Sequence, residues 1–232
     1  MHRLDGKVVV VTGAKGGLGA FVTEVFLTSG ARVVGVSRSI QQADFPNPRF
    51  AAMAADLSSG EAARKLASDV VAQFARIDAL VHVMGSFAGG KSVADTDDAT
   101  IERMLDLNYR AAFFITRAVL PQMRLQNSGR ILAVASRQGV EPGAMTAAYS
   151  ASKAALVALV RTIALENKDC GISANSVLPA TMDTPGNRGG DPHAGGGQWV
   201  DPAQVADLLV YLASDAGTQI TGAAIPVYGK QA

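Results

Sequence analysis

The sequence predicts an α/β fold in which parallel strands alternate with helices. Short apolar runs rich in valine and isoleucine recur along the chain, and most of them are followed by a segment whose apolar residues have helical spacing. The first such run leads directly into a glycine-rich turn and then a helix. Strands that alternate with helices in this way are typical of a parallel sheet covered on both faces.

Length and composition favour one domain spanning residues 1–232. The chain has 232 residues, of which 48% are hydrophobic, and it contains no stretch that resembles a linker. Its 21 basic and 20 acidic residues are dispersed and give a net charge of +1. A nucleic-acid partner is not expected, because no basic patch is present to bind one.

The cysteine content and the distribution of apolar residues indicate the cellular compartment and whether a metal site is expected. Cys170 is the only cysteine, and it and the three histidines do not have metal-ligand spacing, so we expect no metal site. The N-terminus enters a strand without a signal-peptide core, and we expect no apolar run long enough to span a bilayer. A cytoplasmic protein without a membrane partner is the prediction.

The first strand, turn and helix indicate a nucleotide site. Val8–Val11 is the strand, and Gly13, Gly17 and Gly19 follow it before helical spacing begins. Glycines at this junction allow close approach of a phosphate to the backbone, and the helix N-terminus offers unpaired N–H groups to an anion. The alternative is a purely structural turn.

The second strand ends where the adenosine ribose of a dinucleotide would lie. Ser37 and Arg38 occupy that end. A hydroxyl followed by a guanidinium attracts a 2′-phosphate, whereas an acidic residue would repel it. We therefore predict NADP(H) rather than NAD(H), with Lys15 as a second cation. The alternative is that Arg38 is a solvated surface charge.

The middle of the chain contains the predicted third and fourth strands, with candidate site residues in them and at their ends. A crossover too short for a normal helix leads to a third strand ending at Asp56, whose carboxylate would either accept from an adenine amino group or cap the next helix. The fourth strand contains His82, which we interpret as a core histidine. Phe87 follows it, either as a pocket wall or as an ordinary loop aromatic.

One long helix is expected from about Asp97 to Gln126, with Asn108 near its middle. A mid-helix asparagine is locally unfavourable. It would either cap a distortion or hold a water near Lys153. The fifth strand then ends at Ser136, whose hydroxyl would hydrogen-bond a substrate oxygen.

Tyr149 and Lys153 lie four residues apart in a segment predicted to be helical, so their side chains share one face. An ammonium about 4 Å from a phenol favours the phenolate by roughly 4 kcal/mol at an effective dielectric constant of about 20. That shift would suit the phenol to proton transfer. The alternative is that the pair is ordinary surface.

The C-terminal third contains a sixth strand ending at Pro179 and a glycine-rich segment at about 181–200 that we predict to be a lid. Asp201 is predicted to cap the next helix, with Pro202 in its first turn, and a last strand follows.

These residues together resemble the short-chain dehydrogenase/reductase family over essentially the whole chain. The matches are Thr12-Gly13-x3-Gly17-x-Gly19 to its cofactor turn, Asp56-Leu57 to its adenine contact, Asn108 to its helix asparagine, and Ser136, Tyr149 and Lys153 to its catalytic set. The resemblance implies a single-domain Rossmann fold with a seven-stranded parallel sheet in the order 3-2-1-4-5-6-7.

The resemblance also implies an oxidoreductase that exchanges a hydride between a nicotinamide and a carbonyl or secondary alcohol substrate. Tyr149 would be the acid or base, Lys153 would bind the nicotinamide ribose and lower the phenol's pKa, Ser136 would orient the substrate oxygen, and Asn108 would hold a relay water. The implied cofactor contacts are Gly13, Lys15, Gly16, Gly17, Leu18, Gly19, Ser37, Arg38, Asp56, Leu57, Val83, Met84, Gly85, Tyr149, Lys153, Pro179, Ala180, Met182 and Thr184.

Some residues depart from the family pattern. His82-Val83-Met84-Gly85 replaces Asn-Asn-Ala-Gly, Ala180 replaces a glycine, and Lys15 stands one position before the usual basic residue, where Gly16 lies. The stretches after the fourth and sixth strands resemble the dihydropteridine reductase branch, which makes a pteridine or quinone reductase one alternative. A binding module that senses NADP(H) without turnover is another. Family members commonly form dimers or tetramers, so a homodimer or homotetramer is expected.

Overall fold

The strands and helices alternate along the chain as the sequence predicts. A computed structural model describes residues 2–189, 193 and 197–231. The strands are β1 (Val8–Thr12), β2 (Arg32–Ser37), β3 (Phe50–Ala54), β4 (Ala79–His82), β5 (Gly129–Val134), β6 (Ile172–Pro179) and β7 (Ala224–Val227). The helices are α1 (Gly17–Thr28), α2 (Gly60–Phe74), α3 (Asp98–Leu105), α4 (Ala111–Gln126), α5 (Ala147–Asn167), α6 (Pro185–Arg188) and α7 (Pro202–Ala213).

All seven strands form one parallel sheet in the order β3-β2-β1-β4-β5-β6-β7, which confirms the predicted order. The order reverses between β1 and β4, because the chain builds outward first on one side of β1 and then on the other. Thr12 at the end of β1 aligns with Val36 of β2 and His82 of β4. Ligands of open α/β sheets bind at such a reversal, beyond the carboxyl ends of the strands.

Each face of the sheet is covered by its own helices. Val8 and Val10 face a core shared with α2, α4 and α5, whereas Val9 and Val11 face a second core shared with α1 and α7. The alternation follows from the two-residue period of a strand, and burial on both faces explains why β1 is a continuous valine run.

The predicted long helix is interrupted. α3 and α4 are joined by one π-helical segment, Asp106–Arg110, and α4 continues through Pro121 to Gln126. A π segment widens the helix locally and is frequent at functional sites. Here Asn108 lies in the widened turn and is fully buried, so the distortion places its amide inside the protein.

The expectation that no apolar run is long enough to cross a bilayer is wrong for α5. Ala147–Cys170 is long and apolar enough to cross a bilayer, with a mean hydropathy of 1.3 in an 18-residue window, but half of that window is buried inside the protein. α5 packs against β5 and β6 as a core helix. Its apolar character comes from this packing, because a helix between a sheet and other helices buries a wide face.

Candidate active site

A cavity of about 660 Å³ lies beyond the carboxyl ends of β1, β4, β5 and β6. Most of the predicted site residues line it: Gly13, Gly16, Gly17, Leu18, Gly19, Val83, Met84, Gly85, Ser136, Tyr149, Lys153, Pro179, Ala180, Met182 and Thr184. Lys15, Ser37, Arg38, Asp56, Leu57 and Asn108 do not line it. The structure therefore brings the predicted catalytic side chains, apart from Asn108, into one cavity with the glycine turn.

The glycine turn is shaped by close backbone contacts. Gly13 has a φ of +69°, and a Cβ there would lie 2.9 Å from the backbone of Met84. A Cβ on Gly19 would lie 1.9 Å from the carbonyl oxygen of Gly13. Gly16 is the N-cap of α1 and provides no side-chain hydrogen bond to the first turn. The N–H groups that open α1 therefore remain available to an anion.

The end of β2 carries two polar groups without hydrogen-bond partners. The Ser37 hydroxyl is buried and makes no hydrogen bond. Arg38 is exposed and, within the described residues, forms no hydrogen bond or ion pair. Lys15, the other predicted cation, is held by the Asp44 carboxylate at 2.8 Å and donates to the Ser39 carbonyl. Arg38 is thus the more available cation at this edge.

Asp56 is exposed just beyond the end of β3, whereas the adjacent Leu57 is buried. The Asp56 carboxylate accepts from the Ser58 N–H at 3.0 Å, and this bond holds the pKa of the carboxyl below its usual range. Asp56 does not cap α2, as one sequence alternative proposed, because Ser59 is the N-cap and accepts from the Ala62 N–H. The Leu57 side chain is buried in the core. Of the two residues, Asp56 has the exposed polar side chain, and the charge of Arg38 makes a minor contribution to its lowered pKa.

Lys153 is the buried cation of the site. Its Nζ donates to the Val134 carbonyl at 2.9 Å and lies 6.0 Å from the centre of the Tyr149 ring. Only 5% of Lys153 is exposed, and burial lowers its pKa from 10.5 to about 8. The charged form is penalised because the interior solvates an ammonium poorly.

Tyr149 does not show the lowered pKa that the sequence suggested. Burial raises the pKa of its phenol, and a hydrogen bond with Ser136 offsets part of the rise. The expectation is wrong because burial of the phenol outweighs the interaction that lowers its pKa, and the Lys153 ammonium donates to the Val134 carbonyl. In this arrangement the phenol is held in its neutral, proton-carrying form.

Ser136 begins a short turn beyond β5. Its Oγ accepts from the Gln138 N–H at 3.2 Å, which makes it the N-cap of a 3₁₀ turn at Arg137–Gly139. This turn packs closely on α5, since a Cβ on Gly139 would lie 3.0 Å from the Lys153 carbonyl. The hydroxyl of Ser136 is thereby fixed beside the start of α5.

Asn108 ties the segment after β4 to α5. Its Oδ1 accepts from the Ser86 N–H at 2.8 Å, and its Nδ2 donates to the Ser86 carbonyl and to the Ser152 hydroxyl, each at 3.0 Å. A Cβ on Gly85 would lie 2.8 Å from the Asn108 Oδ1 and 3.2 Å from the Lys153 Nζ. The amide therefore lies next to the lysine, with its hydrogen bonds largely taken by protein groups.

His82 is buried in the core. It is 1% exposed, its Nδ1 lies 2.9 Å from the Thr12 hydroxyl, and its Nε2 has no hydrogen-bond partner. Burial and then the charge of Lys153 lower its pKa to about 3, so the imidazole is neutral.

The C-terminal residues form a wall of the cavity that sequence reasoning missed. The Arg137 guanidinium donates to Glu141 at 2.7 Å and to the Gln231 carbonyl, and it stacks on the Tyr228 ring at 4.8 Å. The Gln231 amide in turn donates to the Thr181 carbonyl at 2.9 Å. These contacts join distant parts of the chain, and the only sequence signal was that Arg137 follows Ser136.

The first residues of the predicted lid make hydrogen bonds and an ion pair. Thr184 caps α6 by accepting from the Asn187 N–H, and the Asp183 carboxylate binds the Arg188 guanidinium at 2.7 Å. A bridge pairs Met182 with Val200. Residues 190–192 and 194–196 of the predicted lid lie outside the described residues.

Comparison with known proteins identifies the family. The family described as short chain dehydrogenase matches residues 7–193, and the chain belongs to it. The short chain dehydrogenase ausX of Penicillium brasilianum is 31% identical, covering 98% of this chain and 96% of its own. The 2-dehydro-3-deoxy-D-gluconate 5-dehydrogenase of Pseudoalteromonas atlantica is 29% identical, with 97% and 96% covered.

Solved structures show the same fold. The crystal structure of gox2181 superposes with a TM-score of 0.92 at 27% identity, covering 99% of this chain and 96% of that one. ElxO with NADP bound has a TM-score of 0.91 at 22% identity, with 97% and 98% covered, which is a likeness of fold. The protein is thus a short-chain dehydrogenase/reductase, an oxidoreductase that uses a nicotinamide cofactor.

The burial of Lys153 predicts a pH-dependent stability. Below its folded pKa of about 8 the ammonium is charged in both states and its burial opposes folding. Between about 8 and 10.5 the unfolded chain holds the additional proton, so the wild type gains stability as the pH rises. One pKa unit is about 1.4 kcal/mol. At neutral pH the free energy of unfolding of Lys153→Met should therefore exceed that of the wild type by on the order of 3 kcal/mol.

Urea unfolding of the cofactor-free proteins from neutral pH upward measures the difference in the free energy of unfolding between Lys153→Met and the wild type. This difference should shrink as the pH rises. Lys65→Met, at an exposed lysine on α2, is the control and should show no such trend. If the difference in the free energy of unfolding between Lys153→Met and the wild type stays constant with pH, the lowered pKa of Lys153 is contradicted.

Proposed function

We propose that the protein reduces a carbonyl or oxidises a secondary alcohol with NADP(H). The observation that carries the proposal is the convergence of Ser136, Tyr149 and Lys153 on the cavity that also contains the glycine turn. A nicotinamide cofactor supplies or accepts the hydride when it is bound. The remaining chemistry is the transfer of one proton to or from the substrate oxygen, and the side chains of this cavity are suited to that task.

Tyr149 is assigned as the proton donor in reduction and the acceptor in oxidation. A phenol is protonated near neutral pH, and burial, which raises the pKa of Tyr149, keeps it so, which leaves a proton for a carbonyl oxygen as that oxygen gains electron density. Ser136 lies close enough to Tyr149 to lower the pKa of the phenol and lines the same cavity, so both hydroxyls could address the same substrate oxygen. In reduction the phenol O–H bond breaks while the alcohol O–H bond forms.

Lys153 and Asn108 are assigned supporting roles. Lys153 would bind the nicotinamide ribose, and its ammonium would stabilise the phenolate left after proton transfer. Among the described residues the ammonium donates to the Val134 carbonyl alone, which leaves other donors of the ammonium for further acceptors. Asn108 would take part in the proton relay, and its bonds to Ser86 and Ser152 support a positioning role beside the lysine.

The chain offers a cradle for the cofactor. The N–H groups that open α1 would bind the pyrophosphate, with Thr184 across the turn, where its side chain lies 3.3 Å from the Cβ position of Gly17. Asp56 and Leu57 would border the adenine. The segments Val83–Gly85 and Pro179–Met182 would flank the nicotinamide from the two sides of the cavity.

The preference for NADP(H) rests on the end of β2. The buried hydroxyl of Ser37 and the guanidinium of Arg38 both lack hydrogen-bond partners in the described part of the chain, and a 2′-phosphate would provide acceptors for both. Lys15 adds a further cation if it exchanges Asp44 for the phosphate. ElxO, which shares the fold, is described with NADP bound.

A homodimer or homotetramer in the cytoplasm remains our proposal for the assembled protein. Phe113 on α4 and Leu165 on α5 are exposed apolar residues, 36% and 74% respectively, on the two helices that family members commonly pair. Light scattering should give a multiple of the 23.9 kDa chain mass, and Leu165→Glu should reduce it. A wild-type protein of monomer mass would contradict the proposal.

Tyr149→Phe tests the reaction. It removes the proton donor and should lower kcat by about 10²- to 10⁴-fold while cofactor binding persists. Nicotinamide absorbance, followed against a panel of ketones, aldehydes and quinones, measures turnover, and cofactor fluorescence measures binding. Tyr211→Phe, on α7 beside His2, is the matched control. Equal rates for the wild type and Tyr149→Phe on every active substrate would refute the assignment.

Arg38→Gln tests the cofactor preference. Loss of an exposed charge-assisted hydrogen bond to a phosphate should raise the Kd for NADPH about tenfold and change that for NADH less than about twofold. Titration of each cofactor by fluorescence measures both constants. Arg64→Gln, an exposed arginine on α2, should change neither. A parallel change for the two cofactors would show that Arg38 does not read the 2′-phosphate.

A further inference from the structure

A second cavity, of about 410 Å³, adjoins the catalytic one. The segment after β4, helix α3 and the beginning of α5 form its walls. Phe87 lines both cavities. A molecule bound at Tyr149 therefore has a neighbouring space into which its non-reacting part can extend.

Phe87 is the shared wall between the two spaces. Its ring meets the Tyr149 ring edge-on, with centroids 5.0 Å apart and an interplanar angle of 73°. The side chain is 61% exposed, and a Cβ on Gly89 would lie 2.7 Å from its ring. The absence of a side chain at Gly89 thus leaves room for the ring. A backbone bond from Gly90 to Met145, 2.9 Å long, joins the two segments that face each other across the second cavity.

The second cavity has both apolar and basic lining residues. Ala88, Met145, Ala147 and Ala148 supply apolar surface, Lys91 and Arg103 supply the charges, and none of the described residues that line it is a carboxylate. Such a surface fits a molecule with an apolar body and a polar end that accepts hydrogen bonds.

Arg103 is the cation with unused donors. Lys91 is held by Asp97 at 3.0 Å, and that carboxylate also accepts from the Thr100 N–H at 2.8 Å. Glu102, next to Arg103 in sequence, is paired with Arg110. Within residues 2–189, 193 and 197–231, the Arg103 side chain makes no hydrogen bond or ion pair. Its guanidinium offers five N–H donors, in a fork that matches a carboxylate.

We propose that the substrate is an elongated carbonyl compound whose far end is a carboxylate bound by Arg103 in this second cavity. The proposal rests on the oxidoreductase function proposed above. Phe87 contacts the apolar part of the substrate beside the reacting carbon. Arg103 and Phe87 are then specificity-determining residues, and neither takes part in proton transfer.

Paired substrates that differ only in charge test the proposal. A series of 4-acetylphenylalkanoates, with one to three methylene groups, is compared with the corresponding methyl esters in the wild type and in Arg103→Gln. Arg103→Gln should lower kcat/KM for the best carboxylate about five- to tenfold, mainly through KM, and should change that for its ester less than about twofold. The loss should diminish at high salt, because the pair is exposed to solvent.

Matched variants separate charge from shape. Arg103→Lys should restore part of the preference for the carboxylate, whereas Arg64→Gln should leave both substrates as in the wild type. Phe87→Ala should lower kcat/KM for the ester and for the carboxylate alike, because it removes an apolar contact with both substrates. Equal losses for carboxylate and ester in Arg103→Gln, or no loss for either, would overturn the proposal.

Binding to the cofactor-loaded protein distinguishes this proposal from the proposed function. If no ketone of the series is reduced, calorimetric binding of the carboxylates to wild type and Arg103→Gln decides the inference. Tighter binding to the wild type supports the carboxylate site even if the assigned reaction fails. Equal binding to the two proteins, or none to either, refutes the site.

Discussion

The burial of Lys153 is the constraint on which the arrangement of the site depends. Its ammonium reaches the carbonyl of Val134 only if the first turns of α5 lie across the end of β5. Two glycines leave room for this residue, since side chains at Gly85 and Gly139 would come within 3.2 Å and 3.0 Å of its Nζ and carbonyl group respectively. The turn that carries Ser136 and the segment beyond β4 are therefore both shaped around one lysine.

The same burial sets the electrostatics of the site. A low-dielectric environment disfavours charge, so the pKa of Tyr149 is raised while those of Lys153 and His82 are lowered. The neutral phenol is therefore the favoured form of Tyr149, and the nearby Lys153 ammonium donates to the Val134 carbonyl.

Much of this was predictable from the sequence, and the reasons are local. A valine run followed by glycines specifies β1 and the turn after it, and Tyr149 and Lys153 share a helix face because of their spacing. The pKa of Tyr149 was mispredicted because spacing along a helix does not say where a flexible lysine directs its ammonium. The π segment at Asn108 and the contact of Arg137 with Gln231 depend on tertiary packing, which no local pattern encodes.

The central claim is that the buried lysine and the neutral phenol meet a nicotinamide nucleotide in the cavity at the end of β1 and β4. A crystal structure of the NADP⁺ complex tests it most directly. The nicotinamide ribose should lie within hydrogen-bonding distance of Lys153 and Tyr149, with the pyrophosphate at the start of α1. A nucleotide bound elsewhere, or one that leaves both side chains without contact to it, would contradict the account.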